Sequence, residues 1–154
     1  MFHIVLYEPE IPPNTGNIIR LCANSGSKLH LIHPLGFKLD DKRLRRAGLD
    51  YHEWADVGEY DSLREFMSKV APSNLYACTT KAAHSYAKIA FSSGDALLFG
   101  PESRGLPHEV LNSMSPEARI RIPMVPGSRS LNLSNAVSLI LYEAWRQTGF
   151  EGGL

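Results

Sequence analysis

Arg20 closes the stretch NTGNIIR (14–20), in the first turns of an expected helix, where a positive side chain gains nothing from the helix dipole. Either it faces solvent, or it is kept for an anion such as phosphate, which a guanidinium binds through several N–H donors. FGPESRGL (99–106) sets Glu102 and Arg104 between Gly100 and Gly105. Glycine lets backbone approach a ligand closely, and the bland alternative is a tight polar connection. VPGSRSLNLSNAV (125–137) passes from loop chemistry into an apolar helix, with Ser130, Asn132 and Asn135 around the join. Such residues cap a helix, and they can also wall a binding site. LDDKRLRRAG (39–48) packs Lys42, Arg43, Arg45 and Arg46 together, either as a solvated helix face or as a phosphate-backbone patch.

Other chemistries lack their motifs. No GxGxxG follows a strand and no GxxxxGK[ST] occurs. GSRSL lacks the GxSxG frame of a serine-hydrolase elbow, and no His, Cys, Asp or Glu group has zinc spacing, so no metal is expected. The six histidines look dispersed. His3, His30 and His33 fall on expected strands, and His52, His84 and His108 near loops, each read as a surface or satisfied core residue.

The elements that must position these residues follow from the apolar runs. Strands are expected at 2–8, 28–34, 74–80, 95–100 and 118–124. Helices are expected from a cap at Asn14 or Thr15 to about Ser25, then at 40–48, 62–70, 106–114 with Pro107 in its first turn, and 132–149 capped by Asn132 or Ser134. The tail 150–154 reads as loose. Strands alternate with helices and several are continuously apolar, which predicts an α/β fold with a mostly parallel sheet covered on both faces. Such a sheet binds ligands at its carboxyl edge, where 8–20, 78–81, 99–105 and 122–137 would meet. The last helix carries Leu133, Ala136, Val137, Ile140, Leu141 and Ala144 on one stripe, and Leu139, Tyr142 and Trp145 elsewhere. A helix apolar on so much of its circumference predicts a second cover, such as a homodimer partner.

The 154 residues, without repeats or linker, suggest one domain spanning 1–154. Lys plus Arg equals Asp plus Glu at 16 each, which weakens a general nucleic-acid affinity but leaves room for a local basic patch. Two distant cysteines, no basic leader and no apolar run of about 20 residues point to a cytoplasmic protein with reduced thiols and no membrane partner.

Taken together, NTGNIIRLCAN, FGPESRGLP and IPMVPGSRSLNLSNAVSLILYEAWRQ resemble the three motifs of the SPOUT RNA methyltransferases, S-adenosylmethionine-dependent enzymes with a knotted chain. IVLYEPEIPPNTGNIIRLCAN and DDKRLRRAGLDYHE extend the likeness to the small members that methylate the ribose 2′-hydroxyl of wobble nucleotide 34, cytidine or modified uridine, in tRNA. The resemblance implies a C-terminal deep trefoil knot, a homodimer, and recognition of the tRNA anticodon stem-loop, with leucine isoacceptors as the expected substrates. It implies S-adenosylmethionine held largely by backbone at Cys78, Thr79, Gly100, Glu102, Gly105, Ile122, Met124, Ser130, Leu131 and Asn135. It implies catalysis by Arg20 with Ser130 and Asn132, and RNA contacts from Asn14, Arg20, Lys42, Arg43, Arg46, Arg129 and Tyr142. The rival readings are a SPOUT enzyme acting on another RNA, such as ribosomal RNA, and a non-catalytic RNA-binding assembly factor.

Overall fold

Strands β1 (His3–Tyr7) and β6 (Ala96–Phe99) lie side by side at the centre of a seven-stranded sheet, where every residue of the pair but the half-buried Tyr7 is buried. The computed structural model describes residues 1–40, 42–45, 53 and 56–154. Outward from this pair stand β2 (Lys28–Ile32) and β3 (Gly58–Tyr60) on one side, and β4 (Leu75–Cys78), β7 (Arg119–Arg121) and β5 (His84–Ser85) on the other. Every pairing is parallel. All strand ends of one polarity therefore share one edge, and the four stretches singled out above converge there.

Helices cover both faces, as expected. α1 (Pro12–Ser25), α2 (Lys42–Arg45) and α5 (Leu133–Gln147) cover one face, joined through Ile18, Ile19, Leu44, Val137, Ile140 and Leu141. The other face packs α3 (Leu63–Val70) and α4 (His108–Asn112) through Phe66 and Leu111. The expected helix at 40–48 is described only over Lys42–Arg45. Arg46 and His52 lie outside the described residues.

β7 has an unusual seat. It pairs Ala77 with Arg119 and Cys78 with Ile120 on one side, and His84 with Ile120 and Ser85 with Arg121 on the other. It is thus inserted between two strands joined by only residues 79–83, although it follows them by more than thirty positions. Among the described residues, β5 has no other neighbour in the sheet.

Several boundaries depart from expectation. α1 starts at Pro12, not at a cap on Asn14 or Thr15. Its N-cap, Ile11, makes no side-chain cap bond, and the prolines take the first helical positions, where a missing N–H costs nothing. This frees the Asn14 side chain for tertiary bonds. α1 stops as expected at Gly26, whose φ of 68° suits glycine and whose N–H reaches the Cys22 carbonyl. Pro107 is the N-cap of α4 and not a first-turn residue. β3 and β5 were not foreseen, since GEY and HS carry no apolar run. The tail is not loose. Gly149 and Phe150 turn back, and the Trp145 indole N–H donates to the Glu151 carbonyl at 3.0 Å.

Two of the dispersed histidines meet. His3 Nδ1 lies 2.9 Å from His30 Nε2, and His30 Nδ1 lies 3.0 Å from the Tyr60 hydroxyl. Both imidazoles are buried, and burial pushes His30 down to about 4 and lowers His3 as well. An unfolded histidine titrates near 6.5. Between about pH 6.5 and 4 the unfolded chain therefore binds protons that the folded chain does not, and stability present above that window drains away as the pH falls through it. Urea unfolding at pH 7 and pH 4.5 is expected to differ by on the order of 2 kcal/mol from this source. His30→Gln should flatten that difference.

Candidate active site

The carboxyl edge holds two cavities that share a wall. The smaller, about 90 Å3, is lined mainly by Cys78, Phe99, Ile122, Met124, Leu131 and Ile140. The larger, about 480 Å3, is polar and bounded by Asn14, Gly100–Gly105, Ser130 and Asn132. Cys78, Thr79, Thr80, Ser130 and Leu131 belong to both. An apolar slot opening into a polar cleft suits a ligand with a flat base at one end and charged groups at the other.

Four strand ends build this place. β4 delivers Cys78, whose thiol burial pushes up, so that it stays a neutral apolar wall. β7 delivers Ile122 and Met124. Loop 122–132 returns across them, and Asn132 caps α5 by accepting the Ser134 N–H at 2.9 Å and the Asn135 N–H at 3.3 Å. Among the described residues, the backbones of Met124, Ser130 and Leu131 make no hydrogen bond within the chain. Their amides and carbonyls are thus available to a ligand.

β6 delivers the loop 100–105, which is strapped to the β1–α1 connection from both sides. The Glu102 carboxylate accepts the N–H groups of Glu10 at 2.9 Å and Ile11 at 2.6 Å, and the Asn14 amide at 3.3 Å. It supplies the negative charge at the start of α1 that the first turn of that helix lacks. In return Glu10 accepts the Ser103 N–H at 2.8 Å and its hydroxyl at 2.7 Å, and these bonds hold the Glu10 carboxyl below its usual range. Arg104 lies 2.7 Å from Glu8 and 3.7 Å from Glu10. Gly100 is required by packing. A β-carbon there would collide with the Leu106 backbone nitrogen and lie 2.5 Å from the Gly105 carbonyl carbon. Gly105 has a φ of 69°, a left-handed value that favours glycine.

Nine of the ten positions read as cofactor-binding line one cavity or both. Asn135 does not. It is exposed on the first turn of α5, and its backbone N–H serves the cap. Arg20 lines neither cavity of its own chain. It stands six residues past Asn14, about 9 Å along α1 and turned by about 240°. Its Nε lies 2.9 Å from Glu53 Oε1. Lys42 and Arg43 are exposed on α2, which packs beside α1, the helix that carries Arg20. Arg129 is exposed in the loop before Ser130, and Tyr142 is exposed on α5 with its ring against Trp145. Among the described residues, no group of three or more His, Cys, Asp or Glu could hold a metal, and no helix is long and apolar enough to cross a membrane. Thr80, Lys81 and Ser103 also line the larger cleft, though nothing in CTTK or PESRG singled them out, and Arg104 joins them there beside Glu102. Polar loop residues give no signal of which way they face.

The SpoU rRNA Methylase family matches residues 1–142. The chain belongs to that family. Within it, the chain is 60% identical over 154 residues to the tRNA (cytidine(34)-2′-O)-methyltransferase of Aeromonas hydrophila, covering all of this chain and 99% of that one. It is 58% identical to the enzyme of the same name from Escherichia coli K12, with 100% and 98% covered. A solved structure described as giving insights into the 2-OH methylation of C/U34 on tRNA superposes with a TM-score of 0.88 at 45% identity, with 97% of each chain covered. An AdoMet-bound rRNA methyltransferase from Sinorhizobium meliloti gives a TM-score of 0.81 at 26% identity, and there the match covers 94% of this chain but 56% of the other. These SpoU-family likenesses bear out the SPOUT resemblance read from the three motifs.

Proposed function

We propose that this SpoU-family chain transfers a methyl group from S-adenosylmethionine to the ribose 2′-hydroxyl of nucleotide 34 in tRNA. The observation that carries the reading is the pair of joined cavities, one apolar and one polar, meeting at 78–80 and 130–131. The full-length likeness to two tRNA (cytidine(34)-2′-O)-methyltransferases supports the substrate. The ribosomal alternative is less well supported, because the rRNA-methylating neighbour is only 26% identical, against 60% and 58% for these relatives.

The residues present fit the cofactor. Ile122, Met124 and Leu131 would hold the adenine against backbone amides and carbonyls, and the 100–105 loop with Thr79 and Ser130 would face the polar end. When bound, S-adenosylmethionine supplies a methyl group already attached to its leaving sulfur. What remains for the protein is alignment and charge. Arg20 brings a planar fork of N–H donors and a positive charge, so its work is to orient the acceptor oxygen and a neighbouring phosphate, and to stabilise alkoxide charge as it develops. Lys42, Arg43 and Arg129 would add phosphate contacts.

Arg20 faces away from the cleft of its own chain, so the reading requires a partner subunit. α5 leaves Leu139 and Tyr142 exposed beside α1, and a homodimer packed there would cover them and bring Arg20 to a second cleft. The insertion of β7 under the 79–83 connection supports the trefoil knot.

Incubating total tRNA with labelled S-adenosylmethionine, followed by nucleoside mass spectrometry, tests the activity. 2′-O-methylcytidine or a 2′-O-methyluridine derivative at position 34 is expected. Methyl groups on a base, or on ribosomal RNA only, would overturn the proposal.

A further inference from the structure

Three polar residues from the three motifs stand in one hydrogen-bonded line at the larger cleft. Glu102 accepts from Asn14 Nδ2, and Asn14 Oδ1 accepts from Asn132 Nδ2 at 2.9 Å. Asn132 Oδ1 accepts from the Ser134 and Asn135 N–H groups and from the Ser134 hydroxyl. The polarity of this line does not depend on how either amide is drawn. A carboxylate only accepts, so Asn14 must turn its NH2 group to Glu102 and its oxygen to Asn132. Asn132 must then donate to Asn14 and turn its own oxygen to α5, where the N-terminal N–H groups demand an acceptor. Both ends impose the same order. Asn14 is buried, so a reversed amide would leave like groups facing each other.

We propose that Asn14 and Asn132 form a one-way amide relay that locks the Ser130–Leu131 wall to Glu102 and the start of α1, so that both are positioning residues. Asn132 is thereby moved from the catalytic set, because its oxygen is held by the start of α5 and its amide nitrogen donates to Asn14. Asn14 is likewise moved from the RNA contacts. The consequence for cofactor affinity rests on the reading of that wall as part of the methyl-donor pocket.

Asn132→Asp separates the relay from the cap. Aspartate caps a helix as well as asparagine does, and its charge suits a helix N-terminus. It has no N–H to offer Asn14, and no rotation of Asn14 satisfies a carboxylate on each side. In the ligand-free variant, NMR-resolved amide exchange at Glu10 and Ile11, more than 120 positions away, is expected to accelerate about tenfold. The β6 amides of Leu97 and Leu98 and the melting temperature should stay near the parent values. S-adenosylhomocysteine should bind about tenfold more weakly by calorimetry.

Unchanged exchange at Glu10 and Ile11 would reduce Asn132 to a helix cap and overturn the relay, and so would acceleration shared equally by Leu97 and Leu98. Local acceleration in a protein whose parent form binds no S-adenosylhomocysteine would support the relay and sink the pocket reading instead.

Discussion

Gly100→Ala is expected to weaken S-adenosylhomocysteine binding about 100-fold, read by calorimetry on folded protein. The added methyl would meet the Leu106 nitrogen and the Gly105 carbonyl carbon, which are backbone atoms that cannot swing aside. One stretch of chain must move. Phe99 is fixed by its pairings to Leu6 and Cys78, so the movement falls on 100–105. That loop lines the larger cleft, and Glu102 ties it to α1. A displacement there costs about 3 kcal/mol in overpacking, which corresponds to the expected loss. Circular dichroism should remain native, because the loop lies outside both apolar clusters except at Leu106. Wild-type affinity in this variant would show that the loop does not form the pocket.

Arg20→Ala should instead leave the cofactor bound within about twofold and lower kcat by roughly 10²–10³, the usual cost of removing one group that stabilises developing charge. Arg20→Lys should recover little, since a single ammonium does not reproduce a planar fork of donors. The two variants together test where Arg20 acts. Mixing Arg20→Ala subunits with Gly100→Ala subunits gives hybrid dimers with one intact cleft and one intact arginine on different chains. If the arginine serves the partner's cleft, the hybrids regain activity that neither parent variant has. If it serves its own, they stay inactive, and the composite site is wrong.

Sequence alone went far here for a physical reason. β6 is fully buried and β1 is buried up to the half-buried Tyr7, so neither run alternates apolar with polar and neither can be mistaken for a half-exposed strand. The four polar stretches at strand ends could be placed on one edge as soon as the sheet was read as parallel. What it could not show is direction. Arg20 reads as a member of the same motif as Asn14, yet six residues of helix turn it away from the cleft that Asn14 lines. Asn135 lies in the same motif as Ser130, and one turn of α5 carries it to the surface. β3 and β5 escape because a two- or three-residue edge strand buries too little to leave a pattern. Asn14 looked like a cap because its partners, Glu102 and Asn132, lie 88 and 118 positions further on.

The seat of β7 sets an order in time. During synthesis, β4 and β5 leave the ribosome more than thirty residues before the strand that must lie between them, and among the described residues β5 pairs with no other strand. Ile122, Met124, Ser130 and Leu131 reach their places only after β7 does. A nascent or truncated chain ending before residue 119 can bury β1, β2 and β6, but it owns half a pocket and no α5. Long-range parallel closure of this kind is slow. Capacity to hold the methyl donor would therefore be the last property the chain acquires, and a ligand-binding signal during refolding would trail the appearance of helix.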